Sequence, residues 1–266
     1  MNRAVIAAFI ALLAGLSSLL AQPKQPQPKT KGEAEALQAI GAAQDADSRI
    51  KACENVIIKF ADTEFKPMLL MMIADAYRTK GDIEHEVIYA ERVLKEGDPK
   101  SYQAMLMLAE AIAQRTREFD LDREEKLTRA DKFANDAIAA IKDATKPRPD
   151  ITDEQWEGFK KDLTAQAHQA LGMAALVRKK YDVAVTEFKI AVDGATQPDP
   201  ATMVRLASAY NLTGKHDDAI AMLDKVMAQP DVHPTIKQFA QAEKVRAIQA
   251  KGGAKPAAPQ GETKKP

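Results

Sequence analysis

Residues 206–230 read Leu206-Ala207-Ser208-Ala209-Tyr210, then Gly214, Ala219, Leu223, Val226 and Pro230. The same order recurs upstream as Ile73-Ala74-Asp75-Ala76-Tyr77, then Gly81, Glu86, Ala90, Val93 and Asp98-Pro99, and in both copies Tyr and Gly stand 4 residues apart. A third copy runs Leu171-Gly172, Tyr181, Ala184, Phe188, Ala191, and a fourth runs Leu108-Ala109, Ile112, Ala130, Ala134, Ala137. Apolar residues at three- and four-residue intervals lay one stripe along a helix, and a glycine between two such stripes marks a turn. Each copy therefore reads as a helical hairpin. Small residues recur at matched places, Ala74, Ala109, Gly172 and Ala207 on the first helix and Ala130, Ala184 and Ala219 on the second. Small side chains there let two antiparallel helices approach closely. Glu86 breaks the second series. It is expected at a loosened, edge-exposed contact, since a buried unpaired carboxylate costs several kcal/mol.

The rest of the chain agrees with this reading. Prolines fall at 67, 99, 147, 149, 198, 200, 230 and 234, leaving proline-free windows 68–98, 100–146, 150–197, 201–229 and 235–255. Proline resists helix interiors, so these windows bound the helical pairs. No stretch sustains the apolar/polar alternation of a strand. Alanine is the commonest residue and aromatics make up only 5%, a balance that favours close-packed helices over sheet. Thr152-Asp153-Glu154-Gln155 is a capping box ahead of Trp156, and from there to Lys179 one long helix is predicted. Trp156 and Phe159 on its front are read as packing on the preceding insertion, with a partner-binding knob as the second reading.

The repeated pattern resembles the tetratricopeptide repeat, a helix-turn-helix of about 34 residues. In register, the copies start near Pro67, Tyr102, Ala165 and Pro200, with outer steps of 35 residues and a middle step of 63. The middle step holds a long turn, Thr116 to Lys126, and an extra front segment, Asp150 to Leu163. The run Ile50 to Ile58 reads as the second helix of a further, N-terminal copy. The resemblance implies an all-α fold, a right-handed solenoid of stacked antiparallel hairpins over residues 33–250. Its repeats lie near 33–66, 67–100, 102–146, 150–198 and 200–233. A cap helix at 234–250 presents Ile236, Phe239, Ala242, Val245 and Ile248 as one stripe and closes the stack, because no hairpin buries its apolar face alone.

The two ends read differently. Residues 1–21 open with Arg3, run uncharged from Ala4 to Leu20 and end Ser17-Ser18-Leu19-Leu20-Ala21, the layout of a signal peptide. A retained anchor competes, but the apolar run is short for a span and no basic stop-transfer cluster follows. Export to the bacterial periplasm or the exterior is expected. Residues 22–32 form a Pro/Gln/Lys linker, and 251–266 a low-complexity tail expected to be disordered.

Charge and cysteine count narrow the function. The chain has 38 Lys+Arg against 38 Asp+Glu, which argues against a nucleic-acid partner. Cys53 is the single cysteine, so no intrachain disulfide forms; burial in a helix core is expected for it. The histidines His85, His168, His216 and His233 lack zinc-helix spacing, and no phosphate loop or nucleophile elbow occurs. The acidic run Asp120, Asp122, Glu124 and Glu125 lacks the glycine and terminal Glu of a calcium loop; it is read as a solvated insertion. No catalytic residue, metal or cofactor is expected, and tails plus repeats leave no room for a catalytic domain. An enzyme-associated helical subunit is the alternative to a scaffold.

The resemblance also implies a working surface, a concave groove lined by positions 2, 5, 9 and 12 of each first helix. These are Met68, Met71, Asp75 and Arg78; Gln103, Leu106, Glu110 and Ala113; Gln166, Gln169, Met173 and Leu176; Ala201, Val204, Ser208 and Asn211. The family's clamp for a peptide C-terminus needs Lys at position 5 and Asn at position 9, and no copy here has that pair. The groove is Met-rich and polar, suited to an apolar peptide or partner helix. Part of the Met stripe is open to a second reading as core.

Overall fold

The computed structural model describes residues 26–252. The expected leader 1–21, the first part of the linker and the tail beyond Gly252 lie outside the described residues. Within them the chain is helical, with no strand. Eleven helices follow one another: α1 (Lys31–Gly41), α2 (Ala46–Lys59), α3 (Lys66–Thr79), α4 (Ile83–Glu96), α5 (Tyr102–Arg115), α6 (Arg123–Asp143), α7 (Asp153–Val177), α8 (Tyr181–Gly194), α9 (Pro200–Leu212), α10 (His216–Ala228) and α11 (Pro234–Lys251). No described helix is long and apolar enough to cross a membrane.

Each helix packs on its neighbours in sequence, and two further pairs of first helices touch, α5 with α7 and α9 with α11. The α3–α4, α5–α6, α7–α8 and α9–α10 hairpins are the four repeats of the sequence, and α1–α2 precedes them. The core runs the length of the stack, and the small residues lie at the crossings. Ala74, Ala109, Ala207, Ala184 and Ala219 are fully buried, and Ala130 nearly so. At one crossing the small residue faces a large one, Gly172 on α7 against Phe188 on α8. A Cβ on Gly172 would lie 2.7 Å from Cδ1 of the Phe188 ring, so glycine is what admits a phenylalanine there.

Three of the hairpin turns are the same device. At the end of α3, Gly81 N–H donates to Arg78 O at 2.9 Å and Asp82 N–H reaches back to Tyr77 O at 3.0 Å. At the end of α9, Gly214 N–H donates to Asn211 O at 3.2 Å and Lys215 N–H to Tyr210 O at 2.8 Å. The end of α7 repeats both bonds, from Lys179 to Leu176 and from Lys180 to Ala175, each at 2.9 Å. This is the Schellman closure, whose C′ residue is left-handed; φ is 71° at Gly81, 77° at Gly214 and 61° at Lys179. A side chain in that region costs about 1–2 kcal/mol. Gly81→Ala and Gly214→Ala are each expected to destabilise by about 1 kcal/mol, and Lys179→Gly to stabilise by about 0.5 kcal/mol after the looser unfolded chain is counted. Urea unfolding of the three variants checks the opposite signs.

The insertion behaves as the sequence suggested. The capping box holds, with Gln155 N–H donating to Thr152 Oγ1 at 3.2 Å and Thr152 N–H donating to Gln155 Oε1 at 3.0 Å, and α7 is one helix of 25 residues. Trp156 is buried and its Nε1–H donates to Ala144 O at 3.3 Å; Phe159 is half exposed. The acidic run is largely taken up by ion pairs. Lys126 holds Asp120 and Asp122, while Arg178 bonds Glu124 at 2.9 Å and Asp131 at 2.8 Å. Phe119 and Leu121 stand exposed at its tip. Cys53 is fully buried, and burial pushes its thiol up to about 11.

The closing helix corrects the expectation made for it. Helix α11 seats Ala240 and Ala247, both fully buried, against the stack. Most of the apolar stripe faces outward: Phe239 is 63% exposed, Ile248 52% and Val245 40%, while Ile236 is partly buried. The reason lies in the distance of approach. Two alanines seven residues apart let α11 settle close to α9 and α10, and polar ties fix its rotation. Asn211 Nδ2–H donates to the Glu243 backbone carbonyl and carboxylate, both at 3.1 Å, and Lys244 pairs with Asp224.

Candidate functional site

A hollow opens where the first helices part. Helices α5 and α7 pack directly, but α3 and α5 are not among the closely packed pairs. Between them lies a cleft of about 540 Å³. Helix α3 supplies Pro67, Met68, Met71, Met72, Asp75 and Arg78; α5 supplies Gln103, Leu106, Met107 and Glu110; Leu163 and Gln166 of α7 close one side, and Val93, Asp98 and Ser101 complete the lining. Residues 68, 71, 75 and 78 rise in steps of three and four, so one face of α3 carries them all into the cleft. The same spacing on α5 brings Gln103, Leu106 and Glu110 to the opposite wall.

Eight of the groove residues expected from the sequence thus meet in one place: Met68, Met71, Asp75, Arg78, Gln103, Leu106, Glu110 and Gln166. Four of the others are placed elsewhere. Gln169 Oε1 accepts from the Thr202 hydroxyl at 2.7 Å and ties α7 to α9. Met173 is buried in the core cluster. Ser208 lines a separate shallow hollow with Thr116, Leu176 and Leu212. Asn211 holds α11, as described. On the two-way reading of the Met stripe, Met68 is about half exposed and Met71 partly buried while lining the cleft, whereas Met173 is core.

The polar groups are unbalanced. Arg78 is the single cation of the lining, and its guanidinium bonds Asp75 Oδ1 at 2.6 Å. Against it stand Asp75, Asp98 and Glu110. A fourth carboxyl lies behind them, and it overturns the edge-exposed reading of Glu86. Glu86 is only 5% exposed. It sits on α4 at the position that Ala130, Ala184 and Ala219 occupy in the other hairpins. Burial pushes its carboxyl up to about 7; Arg78 opposes that rise, and the carboxylates of Glu110 and Asp75 add to it. A second buried carboxyl shows the contrast. Glu33 accepts from the Thr63 hydroxyl at 2.6 Å and from the Lys29 amide at 2.7 Å, which fastens α1 to the turn before α3. Neither Glu86 nor Glu110 has a side-chain hydrogen bond or ion pair among the described residues.

Met72, Met107, Asp98 and Leu163 belong to the cleft without having been read from the sequence; the family positions skip them. Glu86 did carry a signal, as a carboxylate in a series of alanines, but its burial depends on α3 and α5 folding over it.

No protein-family model matches the chain, and no curated protein matches it as a relative. Among solved structures, the chain is similar to a thermophilic TPR protein from Thermus thermophilus, at TM-score 0.54 and 17% identity, over 80% of this chain and 96% of that one. The assembly chaperone of RpL4 aligns over 83% of this chain and 98% of the other, at TM-score 0.45 and 11% identity. The first likeness, with the hairpins and turns above, shows that the fold is a helical repeat of the tetratricopeptide type.

Proposed function

We propose that the chain is a non-catalytic scaffold, exported to the cell envelope, that holds a peptide or helix of a protein partner in the cleft between α3 and α5. The observation that carries this reading is the cleft itself. It is a hollow between two first helices, walled by adaptable methionines and edged by polar groups that can fix register. A few apolar anchors supply most of the energy at such surfaces. Met71 is the anchor at the centre of the α3 wall. Met71→Ala is expected to weaken partner binding by about 1–2 kcal/mol with little change in melting temperature. A variant that loses stability, and loses affinity only in proportion, returns Met71 to the core. Arg78→Ala and Glu110→Ala, on opposite walls, report register by the same two measurements. If a partner ignores all three changes and responds to a convex-face substitution, the cleft is the wrong surface. Export rests on the layout of residues 1–21. Intact mass of envelope-fraction protein is expected to show the chain beginning near Gln22, and full-length chain in the cytosol counts against it.

A further inference from the structure

We propose that the cleft selects a lysine or arginine side chain of the bound peptide, received between Asp75 and Glu110 within reach of the charge of Glu86, while an apolar neighbour of that residue fills the methionine-walled part. The inference rests on the cleft being the binding surface and names what that surface prefers.

Charge complementarity chooses the occupant. One cation, already bonded to Asp75, faces Asp75 and Glu110 from the two walls, and Glu86, behind the lining, is close enough for the charges of Arg78, Glu110 and Asp75 to act on it. Counting Glu86 as ionised, this end of the cleft carries an excess of negative charge that no described side chain offsets. An acidic guest would add to that repulsion. A neutral guest would leave Glu86 and Glu110 as they are, without partners. A cationic guest supplies donors to Glu110 and a counter-charge to Glu86 in one step, and the partial exclusion of water strengthens both.

The second observation is the cost of Glu86. Three other hairpins place alanine at its position, and Glu33 shows that this chain satisfies a buried carboxylate where the fold alone needs one. Glu86 has no such partners and is 5% exposed. A nearly buried carboxyl with no hydrogen-bond partner in the described protein, next to a cleft that admits a guest, is a site of the kind where stability is given up for recognition.

The apolar half fixes the arrangement. Met68, Met71 and Met72 on α3 face Leu106 and Met107 on α5, on the side of the cleft toward the start of both helices. Asp75, Arg78 and Glu110 lie one to two turns further on. The guest therefore carries its basic residue within a few positions of an apolar one.

The test uses a randomised twelve-residue peptide library displayed on phage and selected against the full chain. Selected peptides are expected to pair Lys or Arg with an apolar residue at a fixed short spacing. For a lead peptide, replacing its basic residue by norleucine is expected to lower affinity about tenfold on the natural chain at pH 8. The same replacement is expected to cost less than twofold on the Glu86→Gln/Glu110→Gln double variant, the coupling that a direct contact requires. Affinity of the lead peptide is also expected to rise from pH 6 to pH 8, as Glu86 ionises among Asp75 and Arg78 of α3 and Glu110 of α5. The norleucine peptide lacks this rise.

Peptides that respond to Met71→Ala but show no basic preference and no coupling overturn the proposal and leave the cleft as binding surface. Peptides indifferent to Met71→Ala and to both carboxylate changes overturn the cleft reading as well, as does a library that yields no binder. If a synthetic peptide of residues 253–266, which carries three lysines, competes as well as the selected peptides, the occupant is this chain's own tail and the proposal falls.

Discussion

Phe188→Ala is expected to destabilise the protein by about 3–5 kcal/mol, the largest loss available from one side chain in the stack. Phe188 is fully buried in α8, and its ring lies against the bare Cα of Gly172 on α7. Deleting the ring removes its transfer energy and leaves a cavity that two regular helices cannot collapse to fill. The partner change has a sign that depends on the ring. With Phe188 present, a methyl on Gly172 would stand 2.7 Å from ring carbons, so Gly172→Ala is expected to cost about 1–3 kcal/mol by overpacking. With Ala at 188 the space is free, and the same change is expected to stabilise by up to about 1 kcal/mol through helix propensity. Urea unfolding of the four members of this cycle decides it. Additive effects at 172 and 188 would show that the two side chains do not share one site.

Glu86→Gln is expected to move stability the other way. A carboxyl that titrates near 7 in the folded chain and near its ordinary value when unfolded holds its proton more tightly when folded. Folded protein binds more protons than unfolded between those values, so its contribution is fully present below the ordinary carboxyl range. That contribution is lost as pH rises through 7. At pH 8 the ionised group costs about 3 kcal/mol relative to its neutral form, and the neutral amide removes most of that cost. The variant is expected to melt several degrees above the natural chain at pH 8, with the gap closing towards pH 5. A gap that stays constant with pH, or a variant that melts lower at pH 8, would show that Glu86 is stabilised as a carboxylate.

The two predictions mark where sequence reading reached and where it stopped. Proline spacing and the Leu-Ala…Tyr…Gly order located the hairpins because helix ends and turn glycines are local, written in a few adjacent residues. The same locality hid one turn. Lys179 closes α7 in the geometry of Gly81 and Gly214, yet lysine gives no turn signal. Position 172 was legible as small, but its partnership with Phe188 needed only the register to be seen. What failed was relational. Glu86 was placed at an edge because a buried unpaired carboxylate is costly, and the fold accepts that cost. The periodicity on α11 marks one apolar stripe as the packing face of a closing helix, but Ala240 and Ala247 allow the closer approach and take the interface. The cleft was legible as a set of α3 and α5 residues; that these two helices part while α5 and α7 touch follows from the sum of contacts along both, which no single window contains.

Packing that passes only from one hairpin to the next has a consequence for how the chain folds and comes apart. Contacts close in sequence require only short loops to close, so the hairpins are placed to form quickly and in no obligatory order. Opening is graded in the same way. Helices α1 and α11 each have packing neighbours on one side of the stack alone, whereas α5 and α7 are held by hairpin partners, by sequence neighbours and by each other. Amide exchange is therefore fastest at both ends and slowest across α5 to α8. A protease would pare the stack from its ends inward, and a single unfolding temperature would average over segments that melt separately.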